Sequence, residues 1–156
     1  MITVSCYKAI ENHLSKAFCR LAEKCYYSDL KSNVVTMSSD YSEMLDRSLW
    51  TYSKQHFIPH ATCLDAMPEK QPIYITHNTE SLIPSEIMIF INITNDALLK
   101  VISNMNKESV QKMLFIFDEI QNLQFEGIKS TLEKSDIKDF TIKSFTQNHK
   151  GGWIET

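Results

Sequence analysis

Two short, uninterrupted apolar runs, at residues 87–91 (IMIFI) and 113–117 (MLFIF), constrain this chain more than any other feature of it. A strand with one wet face alternates apolar and polar residues. A run with no polar position has both faces in apolar surroundings, as at the centre of a sheet covered by helices on both sides. Such runs are far too short to cross a bilayer. Further strands are predicted at residues 2–6, 34–37, 73–76 and 141–145. Ile10, Leu14, Ala17, Leu21 and Cys25 recur at i, i+4, i+7, i+11 and i+15, the stripe of a helix lying on a sheet. A second helix carries Met44, Leu45, Ser48 and Leu49, with Ser39 or Asp40 as its cap and Glu43 in its first turn. Helices are also predicted at 95–102 and 121–134, the latter with Phe125, Ile128 and Leu132 on one face despite Gly127. Strands and helices in alternation predict a three-layer α/β/α fold with a mainly parallel sheet and right-handed crossovers.

The chain has 156 residues, 43% of them hydrophobic, which suits one domain over residues 1–156 with a core of its own. Its net charge of −3 argues against a phosphate-binding surface, so no direct contact with DNA is expected. Lysines do cluster at 107–112 and 129–143, but acidic residues are interspersed, as on solvated faces. The first residues show no basic segment followed by a sustained apolar one, so the expectation is a soluble cytoplasmic protein without membrane association. The cysteines, at 6, 19, 25 and 63, form no C-x-x-C pair and read as reduced thiols, the first three in apolar patterns. All four prolines fall within residues 59–84, which marks that stretch as the irregular flank. Residues 100–111 read as a helix and a loop.

Catalytic equipment is sparse. Asp118 and Glu119 follow the second apolar run as the carboxylates of a nucleotide-hydrolysing site would. A phosphate-cradling loop, however, needs glycines between an early strand and its helix. The only glycines are Gly127, Gly151 and Gly152, and the first strand-to-helix turn, Tyr7-Lys8-Ala9-Ile10-Glu11, has none. Asp118 therefore reads as a turn or cap residue. His56 and His60 have H-x-x-x-H spacing and Cys63 lies close by, which raises the alternative of a small α/β metal-dependent enzyme built on residues 56–63. Pro59 disfavours the helix that would give that spacing its meaning. A Cys63 nucleophile lacks an evident base and oxyanion site. No catalytic residue, cofactor or metal is assigned.

The remaining candidate is the stretch 45–60, LDRSLWTYSKQHFIPH. Trp50 and Phe57 fall off the helical stripe and flank a segment that leaves the helix before Pro59. Two readings are open. The rings anchor another protein, or they close this domain's own core. His60 orders the loop by a hydrogen bond or packs beside Trp50.

The pattern L-D-x-x-L-W, a short spacer and F-[IVL]-P-H resembles the signature of the chi subunit family of bacterial DNA polymerase III. Gln71-Pro72-Ile73, the run 87–91, Ile116-Phe117-Asp118 and Gly152-Trp153 match in chain order, so the resemblance spans nearly the whole chain. It implies a fold like that of mononucleotide-binding proteins and a non-catalytic accessory subunit of the clamp-loader assembly. In that role the subunit links the clamp loader to single-stranded-DNA-binding protein during replication. It further implies two surfaces. Leu49, Trp50, Phe57, Pro59 and His60 correspond to the surface that docks the psi subunit or a helicase-type partner. Phe117, Lys129, Leu132 and Ser144 correspond to the surface that receives the acidic, Phe-terminated tail of single-stranded-DNA-binding protein. There the chain departs from the family pattern of an Arg followed three residues later by Trp or Tyr, having Lys129 and Leu132 instead. Lys lacks the planar bidentate grip of Arg, and Leu cannot stack. An adaptor for a repair helicase that keeps the first surface and has lost the second is the variant reading.

Overall fold

The computed structural model describes residues 1–53, 55, 57–65, 67–118 and 125–156. The strands are β1 (Ile2–Lys8), β2 (Ser32–Val35), β3 (Ala61–Thr62), β4 (Ile73–Thr76), β5 (Ile87–Ile91), β6 (Lys112–Phe117), β7 (Phe140–Gln147) and β8 (Trp153–Glu155). The helices are α1 (Leu14–Tyr27), α2 (Ser39–Tyr52), α3 (Asn95–Asn104) and α4 (Phe125–Lys134). One sheet contains all eight strands in the order β3-β4-β2-β5-β6-β1-β7-β8. Every neighbouring pair is parallel except β7 and β8, which form an antiparallel hairpin.

The two apolar runs are β5 and β6. They are neighbours at the sheet centre, with every residue of β5 and all but Lys112 of β6 buried. Alternate residues feed two cores. Ile87, Ile89, Ile91, Leu114 and Ile116 face α1 and α2, whereas Met88, Phe90, Met113, Phe115 and Phe117 face α3 and α4. On the second face Phe90 and Phe115 stack with centroids 4.7 Å apart. This is the three-layer α/β/α arrangement predicted from uninterrupted apolar strands. No described helix is long and apolar enough to cross a membrane.

Several boundaries differ from the sequence reading, each for a local reason. The second strand is 32–35, not 34–37. It begins on two polar residues, Ser32 and Asn33, that are wholly buried. The Asn33 amide donates to Ile83 O and Ser85 Oγ, both at 2.7 Å, while its oxygen accepts the Ile83 N–H at 3.0 Å. A satisfied buried amide costs little, but periodicity alone makes it look like loop. The cap of α2 is Ser38, whose hydroxyl accepts the Tyr41 N–H at 3.1 Å, not Ser39 or Asp40, which lie inside the helix. Ile10 precedes α1, where its N–H donates to the Gln147 side chain at 3.0 Å. The third helix runs to Asn104, two residues past the predicted 102. The helix predicted at 121–134 is observed from Phe125, and its start, with Glu119, lies outside the described residues. The strand predicted at 141–145 extends to 140–147, and β3 and β8 were not predicted. The β7–β8 turn is made by Gly151 at φ +88°, whose carbonyl accepts a hydrogen bond from Arg20 Nη1. Trp153 then packs edge-on against Tyr7 at 5.1 Å, which gives the terminal Gly-Trp pattern a structural role.

Candidate docking surface

Helix α2 places the surface. Leu45 and Leu49, one turn apart, are 0% and 2% exposed and fix the helix to the sheet. The next residue, Trp50, is rotated by about 100° about the axis and so leaves the buried face; it is 60% exposed. The chain exits at Ser53 in extended conformation, and Ile58, 1% exposed, pins the returning loop to the core. That pin holds Phe57 outside, at 49% exposure, with its ring 4.7 Å from that of Trp50. The rings therefore do not close the domain's core; of the two readings, the outward one matches the placement.

His60 lies beneath both rings, 5.6 Å from Trp50 and 5.8 Å from Phe57 between centroids. Its side chain is 1% exposed. Nδ1 is 2.7 Å from the Ile58 carbonyl, so it donates there, and Nε2 is 2.8 Å from Asp46 Oδ1. The second approach is short but poorly directed for a hydrogen bond, so the contact is electrostatic. Each half of the sequence pattern thus supplies one member of a clasp. The Asp of L-D-x-x-L-W faces the His of F-x-P-H, and the two aromatics sit on top. Pro59, half-buried, lies between Ile58 and His60.

Pattern reasoning at the sequence level passed over Asp46, although the motif contains it. It also passed over Leu64 and Met67, 85% and 55% exposed, which lie beyond β3. Of the residues considered as metal ligands, His56 lies outside the described residues, His60 has both nitrogens facing protein oxygens, and Cys63 is exposed.

The second group of residues lies on the other face of the sheet. Phe117, at the end of β6, and Leu132, on α4, are 3% and 0% exposed and belong to the α3/α4 core. Lys129, one turn before on α4, and Ser144, on β7, are half-buried. The Ser144 hydroxyl is 3.2 Å from that of Thr156. The two apolar members thus face inward beneath α4, and only Lys129, on α4, and Ser144, on β7, reach solvent.

Comparisons with known proteins bear on the family and the fold. The family profile described as "DNA polymerase III chi subunit, HolC" matches residues 1–124. A probable DNA polymerase III subunit chi from Rickettsia prowazekii (strain Madrid E) is 36% identical over 149 residues, covering 96% of this chain and 88% of that protein. Among solved structures, the C-terminal domain of the DEAD-box protein Dbp5 superposes with a TM-score of 0.57 at 10% identity, covering 92% of this chain and 90% of that one. A variant of the S. cerevisiae Dbp5 C-terminal domain, bound to Gle1 and IP6, gives 0.55 at 12% identity, covering 92% and 88%. At these identities the structural likeness concerns the fold alone. Sequence and family profile together place the chain in the DNA polymerase III chi subunit family.

Proposed function

We propose that this chain is a non-catalytic adaptor of the DNA polymerase III holoenzyme, using the Trp50–Phe57 surface to dock the psi subunit of the clamp loader. The observation that carries this reading is an aromatic pair held outward by a core-pinned loop and an Asp46–His60 clasp. Exposed rings in a fixed mutual geometry lose little conformational entropy on binding, and large aromatics are the residues that dominate protein interfaces. Leu49 and Pro59 shape the surface from below. A helicase-type partner would use the same rings, so psi and such a helicase would compete for them. Calorimetric titration of psi into the wild-type chain and into Phe57→Ala tests the proposal, with at least about 30-fold weaker binding expected for the variant, as for an anchor worth 2 kcal/mol.

The second half of the proposal is that the chain also receives the acidic tail of single-stranded-DNA-binding protein near Lys129 and Ser144, so that contact with DNA is indirect. The support is the correspondence of these positions with the family pattern, together with a lysine on α4 able to pair with a carboxylate. With Leu132 and Phe117 turned inward, the tail would lean on Lys129 more than on a stacking ring. Titration of a tail peptide, with Lys129→Ala beside the wild type, tests it; loss of binding in the variant is expected, and no heat from the wild type would remove this half.

A further inference from the structure

The two edges of the sheet are finished differently. At β3 the outward groups of Thr62 are consumed within the chain, its N–H donating to Asp65 Oδ2 at 2.7 Å and its carbonyl accepting the Asp65 N–H at 3.1 Å. At the other end β8 covers only Phe145, Thr146 and Gln147 of β7. Thr156 extends that cover by one residue, its N–H donating to the Ser144 carbonyl at 2.9 Å. Residues 140–143 of β7 have β1 on one side and, among the described residues, no strand on the other.

The hydrogen-bond phase of β7 identifies the groups left open. The Ile2 N–H donates to the Asp139 carbonyl at 3.1 Å, so odd-numbered residues face β1 and even-numbered ones face outward, in keeping with the Ser144–Thr156 bond. Phe140 and Ile142 therefore each present an N–H and a carbonyl to the open edge, a template for another strand. Their side chains lean on the α3/α4 core, and those of Thr141 and Lys143 stand exposed on the opposite face. Asp139, just before the strand, is exposed as well.

We propose that two copies of this chain pair at this edge, antiparallel, about a two-fold axis at Thr141. The phase allows even residues to bond only to even residues. An axis at Ile142 sets Phe140 against Ser144, whose carbonyl Thr156 already occupies, and an axis at Phe140 sets Ile142 against Lys138, outside the strand. The axis at Thr141 sets Phe140 of each copy against Ile142 of the other and uses every open group. The same register places Asp139 of each copy opposite Lys143 of the other. Aromatic against β-branched and acid against base are the cross-strand pairs that stabilise a sheet. Within one copy these charges are held weakly, Asp139 at 3.9 Å from the N-terminal ammonium and Lys143 at 4.0 Å from Glu155, all exposed. The contact is isologous, so it closes as a dimer. Helix α2 lies over the β3 end of the sheet, so pairing at β7 leaves the Trp50–Phe57 surface of both copies free and does not rest on the function proposed above.

Sedimentation velocity of the full chain from about 10 μM to about 1 mM, the range of a small interface, tests the proposal. The expected result is a monomer–dimer equilibrium in the wild type. Asp139→Lys and Lys143→Asp should each weaken it at least about tenfold, since each puts like charges opposite one another twice per dimer. The double variant Asp139→Lys/Lys143→Asp should restore it, which a merely structural role of either residue would not do. Amide hydrogen exchange reads the register directly. Exchange at Phe140 and Ile142 should slow as the concentration rises, whereas Thr141, whose N–H faces β1, should be protected throughout. The proposal is overturned by a monomer at about 1 mM, by association indifferent to the single reversals, or by a double variant that stays monomeric. Association that is lost in Trp50→Ala/Phe57→Ala but kept in the single reversals would also overturn it, because the copies would then meet at the rings.

Discussion

The carboxylate of Asp46 stands 2.8 Å from Nε2 of His60, across a gap of fourteen positions in sequence, and this contact ties the middle of α2 to the loop that carries Phe57. Asp46 is partly exposed, its side chain at 31%, so solvent screens the pair on that side. Its effect is geometric. With His60 also held by the Ile58 carbonyl, the imidazole forms a fixed base against which Trp50 and Phe57 pack.

Asp46→Asn should therefore cost stability modestly, about 1 kcal/mol at most, as for one partly screened electrostatic contact. It should weaken psi binding more than that loss of stability explains, because the rings lose their fixed geometry. Urea denaturation beside calorimetric titration separates the two effects. A variant that binds as tightly as the wild type would show that the clasp does not position the rings.

Adjacent residues on α2 should respond in opposite ways. Leu49→Ala removes a side chain that is 2% exposed and should destabilise the chain by about 2–4 kcal/mol. Trp50→Ala removes one that is 60% exposed and should cost less than about 1 kcal/mol, while abolishing partner binding. Chemical denaturation of the two variants checks the contrast.

Asn33 is 1% exposed, and its side chain makes three hydrogen bonds to the segment at 83–85. Asn33→Ala would leave the Ile83 N–H and carbonyl without these partners, and a loss of about 2–4 kcal/mol is expected from stranding buried polar groups. Equilibrium unfolding in urea measures it.

How far the fold could be read from the chain divides along the same physical line. β5 and β6 were legible because their burial is carried by side-chain polarity alone, and the α/β/α layers follow from them. Ser32 and Asn33 were not, because their burial depends on partners at 83–85 that no local window contains. β3 and β8 are short edge strands defined by pairing, a non-local property. At the candidate docking surface, helical phase took Trp50 off the buried stripe but left both readings of it open, and the position of Phe57 depends on Ile58 being drawn into the core. Leu132 shows the limit of carrying a position over from a family pattern. Its phase on α4 matches Ile128, so it points inward.

The buried thiols make stability fall at high pH. Burial pushes Cys6 and Cys19 from 9.0 to about 12, with Glu23 adding to the shift at Cys19. Below pH 9 both states hold these protons and nothing is lost. Between pH 9 and 12 the unfolded chain releases them while the folded chain retains them, so unfolding is favoured as pH rises. Denaturation midpoints measured from pH 7 to 11 should decline above 9, and Cys19→Ala should flatten part of that decline. At neutral pH, Cys63 should be the one thiol of the four to react rapidly with a water-soluble reagent, since the other three are buried.

The most direct test of the account is the affinity of purified psi subunit for the wild-type chain and for Trp50→Ala/Phe57→Ala, with the unfolding free energy of both measured under the same conditions. The account predicts a stable complex with the wild type, no measurable complex with the double variant, and folded states of nearly equal stability. A double variant that is well folded and binds psi as tightly as the wild type would contradict it.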